Sequence, residues 1–433
     1  MASCNIQRLI WFYFWLLIFE GALRKWVVPQ FAAPLLIIRD PLVIGAYFLA
    51  LKEGIFPKDI FTKAIIFLAF VSFLGGLATV ITSDITSSSK LLVVIYGLRT
   101  NFLHLPFMLL IPKVFSLKDI KKLGRWVLLL TVPMAILMVY QFSSPPNAFI
   151  NRGAGIDAMQ IGSSLGKIRP PGIFSFTTGA AQYFSLVASF ILYGLIQSKI
   201  YPNWLLSAAG LSLVLALAVS GSRTAVASVG IVLISLIVVF LVKPEFVGKS
   251  YKFLAFAVLV GFGVSHLPFF NQGVKVLSTR IEQANGVEAS GGGIVSRFFG
   301  EFLKPFNNTD QIPPLGYGLG MGTAAGSALL TGKVTYLLAE GEWERVVLES
   351  GFVLGLLYIL LRIGLIIWMG GLCVQSASTG RVLPLFIFTS CALLILNGQF
   401  GQPTTLGFAI LGGGLCLASC QTESDNQAIP AIR

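Results

Sequence analysis

Charged residues are scarce in this sequence: Asp, Glu, Lys and Arg make up 11% of its 433 residues, while 55% are hydrophobic. A soluble domain carries about 25% charged residues, so the chain lacks the polar groups to cover soluble domains of this total length. Its hydrophobic residues fall in runs of about twenty, the length that crosses a bilayer as a helix. Because a helix satisfies its own backbone polar groups in lipid, the composition predicts an all-α membrane protein.

Histidine and cysteine are also few, with two His and five Cys. His104 and His266 each stand alone in or beside an apolar run, and we interpret both as packed or interfacial side chains. The Cys residues show no metal-ligand spacing, so we interpret them as small residues within helices. No P-loop and no Ser-His-Asp order is present, and we expect neither a metal nor another cofactor. The five Cys are Cys4, Cys373, Cys391, Cys416 and Cys420.

Positive charge exceeds negative charge by 13, a balance that is typical of many nucleic-acid-binding proteins. Here Lys and Arg lie mostly in short connections between apolar runs, so we expect the lipid bilayer as a partner and no nucleic acid. If the N-terminus lies inside, fifteen Lys and Arg residues fall in the inner segments and seven in the outer connections. The longest loop is left out of this count. Because cytoplasmic loops are enriched in Lys and Arg, this predicts a multi-pass inner-membrane protein with both termini in the cytoplasm.

Apolar runs predict about twelve transmembrane helices in one polytopic domain, residues 1–433. The second run contains Arg39-Asp40-Pro41, where we expect Asp40 to cap a new helical segment within the membrane. An outer loop at 143–172 and a large periplasmic loop at 269–345, between helices 9 and 10, complete the topology. The predicted helices are residues 6–23, 31–51, 60–81, 91–111, 122–142, 173–197, 203–220, 223–242, 250–268, 346–370, 382–399 and 402–420.

Four clusters of polar residues are expected on the outer side. The first contains Arg169, before the sixth helix, and the second is the turn Ser220-Gly221-Ser222-Arg223 between two helices. An Arg in such a place can bind phosphate or pyrophosphate oxygens through two hydrogen bonds. It can equally anchor a helix end at the lipid headgroups.

The third cluster lies in the large loop and contains Arg280, Arg297 and the Gly-rich stretch Gly316–Gly322. No predicted strand precedes this stretch and no Lys-Ser/Thr follows it, so it does not match a nucleotide-binding loop. Glycine lets a backbone approach a ligand or another helix closely, and that is the role we expect here. Tyr317 would offer an aromatic face to a sugar ring.

The fourth cluster leads into the tenth helix. Glu342, Arg345 and Glu349 share one helical face there, and Arg345 can pair with Glu349. A carboxylate beside a cationic site, from Glu342 or Glu344, can accept the proton of a sugar hydroxyl. The alternative is a solvated ion-pair face without a catalytic role.

Charged residues are also expected within or at the edge of the membrane. Glu20 and Arg24 form an i, i+4 pair at the end of the first helix, and Arg39 and Asp40 lie inside the second run. Ionisable groups at such depth are costly, which makes them candidates for a functional site. They can equally form structural ion pairs that fix helix packing.

Taken in order, these motifs resemble the O-antigen ligase and polymerase-like superfamily of bacterial membrane proteins, over about residues 60–400. Each motif is short, and the resemblance rests on their order and spacing. The segments at Glu20–Trp26 and Arg39-Asp40-Pro41-Leu42 resemble a subgroup linked to exopolysaccharide gene clusters. The motifs of the superfamily are Arg169 with the Gly-Phe segment after it, the turn at Arg223, the loop residues Arg280 and Arg297, the stretch from Gly316, and Glu349-Ser350-Gly351.

The resemblance implies a metal-independent glycosyltransferase that uses undecaprenyl-diphosphate-linked glycans on the periplasmic side, in O-antigen or exopolysaccharide biosynthesis. It would place Arg169, Arg223 and Arg297 on the diphosphate, with the remaining polar loop residues adding to substrate binding. Ligases of the superfamily carry a His near the return of the large loop to the membrane, where this chain has Glu342 and Glu344. This difference favours a polymerase. The further substrate-binding candidates are Arg280, Tyr317 and Arg345.

Because a Glu stands where ligases carry the His, Glu342 is our preferred candidate for the catalytic base. Other polysaccharide export proteins would be further partners. A flippase or transporter of lipid-linked oligosaccharide is the main alternative, although we find no internal repeat of the kind transporters commonly show. A third possibility is a non-catalytic partner in a polysaccharide assembly machine.

Overall fold

The computed structural model describes residues 2–81, 87–155, 166–197, 199–249, 270–279, 312–332 and 337–421, with a few single positions between these ranges. Over the described residues the chain forms helices and turns, with an isolated β-bridge between Gly162 and Ile168. Ten helical segments are long and apolar enough to cross a membrane. The prediction of an all-α, multi-pass membrane protein is therefore confirmed, whereas the predicted helix at 250–268 lies largely outside the described residues.

Most of the described helices follow one another with short connections, and longer ones separate α6 from α7 and α9 from α10. Their bounds are α1 (Ala2–Ala22), α2 (Asp40–Lys52), α3 (Ile60–Ile81), α4 (Ser87–Leu98), α5 (Leu105–Val114), α6 (Leu117–Ser143), α7 (Thr177–Ile196), α8 (Asn203–Ser220), α9 (Arg223–Val242), α10 (Ala324–Thr331), α11 (Glu342–Ser378), α12 (Leu383–Asn397) and α13 (Pro403–Cys420). We call the end of the bundle where α1, α6, α8 and α12 end the loop side, because it carries residues 144–176 and 312–341.

The centre of the bundle is formed by α7 and α13. In the most apolar part of α7, 94% of the residues are buried, against 22% in α3, so α7 is enclosed by other helices and α3 is peripheral. α13 packs against α5, α7 and α12. Large apolar side chains on α3 and α9, such as Phe67 and Ile234, point outward and suit contact with lipid tails.

The second predicted span is broken, as expected. Two 3-10 turns, Pro29–Phe31 and Pro34–Ile37, precede α2, which begins at Asp40 with Pro41 in its first turn. Pro fits that place because the first turn of a helix needs no backbone N–H donor. The expected capping role of Asp40 is wrong, since its side chain does not cap α2 and binds Arg99 and His104 instead.

The fourth span contains a turn of π-helix, Arg99–Leu103, between α4 and α5. The sequence predicted one continuous helix here, at 91–111. A π turn inserts a residue into the helical ladder and changes the direction of the side chains around it. As a result, Arg99 and Asn101 both point into the bundle and are buried.

The helix α11 reverses its direction at Gly351. In a straight helix, Glu342 and Arg362 would stand about 30 Å apart, yet their side chains form an ion pair of 2.8 Å. Gly351 has a φ of 78°, and a Cβ on Gly355 would lie 2.7 Å from Cα of Val347. Residues 342–350 therefore fold back against the start of the long segment 352–378, and the predicted helix at 346–370 is wrong at its start.

Candidate functional site

The carboxylate of Glu342 is enclosed between two Arg side chains. Its Oε2 accepts a hydrogen bond from Nε of Arg345 at 3.0 Å, and its Oε1 accepts one from Nη2 of the same residue at 3.0 Å. Oε1 also accepts from Nη1 of Arg362 at 2.8 Å and from the backbone N–H of Phe400 at 3.3 Å. The residue predicted to be the base is thus held in ion pairs, with 2% of its surface exposed.

Arg345 joins this pair to a second carboxylate. Its Nη1 donates to Oε2 of Glu349 at 2.6 Å, which confirms the predicted i, i+4 pair, and its Nη2 donates to Oδ1 of Asn101 at 2.9 Å. The other oxygen of Glu349 accepts from the backbone N–H of Gly322 at 2.9 Å. Because every one of these groups is buried, the cluster is not the solvated face that the sequence also allowed. Arg345, predicted to bind substrate, is fully engaged by protein groups.

Arg362 was missed by sequence reasoning, although a cation within an apolar run is itself a signal. Its Nε donates to the carbonyl oxygen of Ile395 at 2.6 Å, and its Nη2 donates to those of Leu394 and Gly398 at 3.2 and 2.9 Å. The last carbonyls of a helix have no partner within the helix. Arg362 therefore donates hydrogen bonds to the last carbonyl groups of α12 and also forms an ion pair with Glu342.

A second buried cluster is centred on Asp40. Its two carboxylate oxygens accept from Nε and Nη2 of Arg99 at 2.7 and 2.9 Å, a bidentate pair. Nε2 of His104 lies 2.9 Å from the same carboxylate, and Nδ1 of His104 lies 3.1 Å from the hydroxyl of Tyr13. The interpretation of His104 as a packed side chain is confirmed, with its ring oriented by hydrogen bonds at both nitrogens.

The predicted pair of Glu20 and Arg24 is also confirmed, at 3.5 Å. Glu20 forms a further ion pair with Nε of Arg39 at 3.3 Å, and Nη2 of Arg39 donates to the carbonyl of Pro403. Nη1 of Arg24 donates to Oγ of Ser175 at 3.1 Å. These contacts attach the end of α1 to α2, to the start of α13 and to the outer connection before α7.

The two clusters meet at shared segments. The π turn provides Arg99 to one cluster and Asn101 to the other. Residues 398–403, between α12 and α13, contact Arg362, Glu342 and Arg39 in turn. The result is a continuous band of buried ion pairs on the loop side. Its ionisable side chains are five Arg and four carboxyl groups: Arg24, Arg39, Arg99, Arg345 and Arg362, with Glu20, Asp40, Glu342 and Glu349.

The Gly-rich stretch lies against the reversal in α11. The backbone N–H of Tyr317 donates to the carbonyl of Leu348 at 2.8 Å. The backbone N–H of Gly318 donates to the backbone carbonyl of Glu349 at 3.1 Å. A Cβ on Gly97 of α4 would lie 2.4 Å from the backbone nitrogen of Gly320. The predicted close approach of this backbone to other helices is confirmed, because only glycine leaves room for these contacts.

A cleft of about 180 Å³ opens beside this stretch. Tyr317 lines it with a half-exposed ring, together with Thr79 and the largely buried Lys90. The remaining wall is apolar and comes from α3, α4, α10 and the Gly-rich stretch itself. An aromatic ring, a hydroxyl and a cation over an apolar wall suit a ligand with both a polar head and an apolar part.

Basic residues of the outer loop lie near the turn before α9. The backbone N–H of Ser163 donates to the carbonyl of Lys167 at 2.6 Å and closes a tight turn. A Cβ on Gly221 would lie 2.9 Å from Oγ of Ser163, so this turn packs on the Gly221 turn. Arg223, at the start of α9, is thereby brought to the same part of the surface as the segment that contains Arg169.

Arg169 and Arg223 are both half-buried at this surface. The other two predicted arginines, Arg280 and Arg297, lie outside the described residues. Glu344 is half-buried as well, and among the described residues no hydrogen bond or ion pair engages its carboxylate. Of the two predicted carboxylates, Glu344 is therefore the one whose oxygens are available to a ligand.

The arrangement combines half-buried cations, an available carboxylate and an amphipathic cleft on one side of a membrane bundle. The buried band beneath them has nearly balanced charge, so it can hold the helices that carry these groups in fixed positions. This chemistry suits an anionic ligand with an apolar anchor. No model of a known protein family matches the chain, and no curated protein matches it either.

Proposed function

We propose that this protein is an inner-membrane glycosyltransferase that polymerises undecaprenyl-diphosphate-linked glycan units during exopolysaccharide or O-antigen biosynthesis. The observation that supports this most directly is the packing of the turn at Ser163 on Gly221. It brings the segment with Lys167 and Arg169 near Arg223, so cations from two separate connections can act on one anion. A diphosphate has two charged groups and suits such a paired arrangement.

The topology in this proposal has twelve spans, with the loop side in the periplasm and both termini in the cytoplasm. Ten spans are those long enough by themselves, and α12 and residues 250–268 supply the other two. The large periplasmic loop then lies between the ninth and tenth spans, and Arg280 and Arg297 add cations to the diphosphate site. Lipid-linked glycans would enter with the lipid in the bilayer and the sugar at the loop side.

The reaction transfers a glycan from its diphosphate carrier to a hydroxyl of the next unit. The hydroxyl oxygen attacks the anomeric carbon and forms the new C–O bond, while the bond from that carbon to the phosphate oxygen breaks. The electron pair leaves with the lipid diphosphate, whose developing charge Arg169 and Arg223 stabilise. The hydroxyl proton passes to the carboxylate of Glu344.

Glu342 has a different part in this proposal. Its two oxygens already accept from Arg345, Arg362 and Phe400, so it fixes the segment on which Glu344 stands. Glu344 follows Glu342 by two residues in the same short helix, and the catalytic role of either residue stays a prediction. Tyr317 and Lys90 would contact the incoming unit through the cleft they line.

A flippase of lipid-linked oligosaccharide remains the second candidate. The observation that favours it is the band of ion pairs buried between helices, since transporters bind polar substrates within the bundle. In the present arrangement these groups bind one another, which suits a fixed scaffold better than a transport path. The two functions differ in whether a glycosidic bond forms.

The test uses purified full-length protein in liposomes with undecaprenyl-diphosphate oligosaccharide as the substrate. Glycan length and released lipid diphosphate are measured for the wild type, Arg223→Ala, Arg223→Lys and Glu344→Gln. Arg152→Ala is the matched control, because Arg152 is an exposed arginine of the same outer loop. We expect the wild type to produce a ladder of longer glycans. Arg223→Ala and Glu344→Gln should each lower the rate of lipid-diphosphate release by at least about a hundredfold, the effect expected when a charge-stabilising or proton-transfer group is lost.

Arg223→Lys should restore part of the activity, since it keeps the charge and loses the bidentate geometry. Arg152→Ala should match the wild type. One transfer to a different acceptor would replace the polymerase with a ligase. Movement of the lipid-linked sugar between leaflets without any new glycosidic bond would replace the enzyme with a flippase.

A further inference from the structure

Three of the five cysteines converge at the end of the bundle opposite the loop side. Cys373 lies on α11, and Cys416 and Cys420 lie one turn apart on α13. Their three sulfur atoms all lie within 4.8 Å of one another, and the sulfurs of Cys373 and Cys416 are 3.2 Å apart. This group was not predicted from the sequence, because Cys373 is separated from the other two by 43 residues or more.

A backbone carbonyl and a cation lie beside these thiols. The carbonyl oxygen of Pro384 lies 3.5 Å from the sulfurs of both Cys373 and Cys416. Arg381 donates from Nη1 to the carbonyl of Cys420 at 2.9 Å, which places a cation beside the group. Cys373 and Cys416 are fully buried, whereas Cys420 is partly exposed, so a small ligand can reach the sulfur atoms from its side.

We propose that these three cysteines form a binding site for one thiophilic metal ion, with Cu⁺ as the best-fitting ion. Thiolate ligands favour soft ions such as Cu⁺ and Zn²⁺ over Mg²⁺, Ca²⁺ and Mn²⁺. Three sulfurs around one ion at about 2.3 Å would stand roughly 4 Å apart. One observed separation is 3.2 Å and none exceeds 4.8 Å, so small side-chain rotations are enough to form the site.

The number and kind of donors separate Cu⁺ from Zn²⁺. A structural zinc site has four ligands, usually sulfur or nitrogen. The metal-competent group here contains three thiols and, within the described residues, no His or carboxylate. Three thiolates complete the coordination of Cu⁺, while Zn²⁺ would need a water or the Pro384 carbonyl as a fourth donor. Binding would join the end of α11 to the end of α13.

The test titrates the purified full-length protein with Cu⁺, and separately with Zn²⁺, under reducing conditions against a chromophoric chelator. The variants are Cys373→Ser, Cys416→Ser and Cys420→Ser. Cys391→Ser is the matched control, because Cys391 is a buried thiol of the neighbouring helix α12 outside the group. Size-exclusion profiles identify any variant that does not fold, and X-ray absorption of the loaded protein reports the atoms bound to the metal.

We expect one equivalent of Cu⁺ in a sulfur-only shell. Each variant of the group should weaken binding by at least about tenfold, since even outer partners of metal ligands contribute that much. Cys391→Ser should bind as the wild type does. Tighter binding of Zn²⁺ at the same three residues would overturn the preference for Cu⁺. Absence of stoichiometric binding of either ion, or equal binding by folded Cys420→Ser, would overturn the site.

Discussion

Oδ1 of Asn101 accepts a hydrogen bond of 2.9 Å from Nη2 of Arg345, and through this contact the π turn between α4 and α5 reaches the reversed segment of α11. The two residues are 244 positions apart in the sequence. Arg345 also binds Glu342 and Glu349, so Asn101 completes the set of acceptors around one buried guanidinium. The position of the proposed catalytic segment therefore depends on a residue in a distant helix.

Replacing Asn101 with Ala should lower the free energy of unfolding by about 1.5–3 kcal/mol, because the buried guanidinium of Arg345 loses one of its acceptors. Unfolding in mixed detergent micelles with increasing dodecyl sulfate measures this quantity. Asn397→Ala is the control, since Oδ1 of Asn397 has no hydrogen-bond partner within the described part of the chain. Equal losses in the two variants would show that the bond to Arg345 contributes nothing.

Glu342→Gln should destabilise the protein by about 3–5 kcal/mol, because it leaves Arg345 and Arg362 with one buried carboxylate fewer. The same unfolding measurement applies. Glu53→Gln serves as the control, because Glu53 is exposed at the end of α2, and its change should stay within about 0.5 kcal/mol. A stable Glu342→Gln variant with no activity would instead support Glu342 as the catalytic base.

The pair of Glu342 and Arg362 should behave as one unit. Arg362→Met alone leaves the carboxylate with less positive charge around it, and we expect a loss of about 3–5 kcal/mol. In the double variant Glu342→Gln with Arg362→Met, the total loss should fall below the sum of the two single losses by about 0.5–3 kcal/mol. Additive losses would mean that the 2.8 Å ion pair does not couple the two positions.

Gly351→Ala should prevent the reversal of α11. The φ of 78° disfavours any residue with a Cβ, and that Cβ would overlap the carbonyl oxygen of Pro314. We expect a loss of at least about 1–3 kcal/mol, the cost of a strained backbone conformation. Gly371→Ala in the same helix is the control, because a Cβ there meets open space and should be neutral or slightly stabilising. Similar stability of the two variants would contradict the reversed arrangement.

The sequence predicted the helices that are bounded by clear turns. The bounds 203–220 and 223–242 match α8 and α9, because Gly221 and Ser222 interrupt the apolar pattern between them. The reversal at Gly351 was not predictable in the same way, since a single glycine within an apolar run is compatible with a continuous helix. The partner of Arg362 could not be found either, because it depends on that reversal.

In the candidate site, the contacts between residues close in sequence were predictable and the contacts between distant residues were not. Local pairs such as Glu20 with Arg24 follow from helical spacing, and they are present. Long-range groups, such as Asp40 with Arg99 or the three converging cysteines, require the packing of helices that sequence spacing does not encode. The enclosure of Glu342 belongs to this second kind, whereas the availability of Glu344 depends on which side of a short helix it occupies.

The length of α12 has a consequence for the surrounding lipid. Its 15 residues span about 22 Å, while the hydrocarbon layer of a bilayer is about 30 Å thick. A short apolar helix creates a hydrophobic mismatch, and the polar backbone beyond its end must be satisfied by other protein groups or reached by a thinner bilayer. The backbone of residues 398–403 binds Arg362, Glu342 and Arg39, so these partners shield the polar connection after α12 from the hydrocarbon.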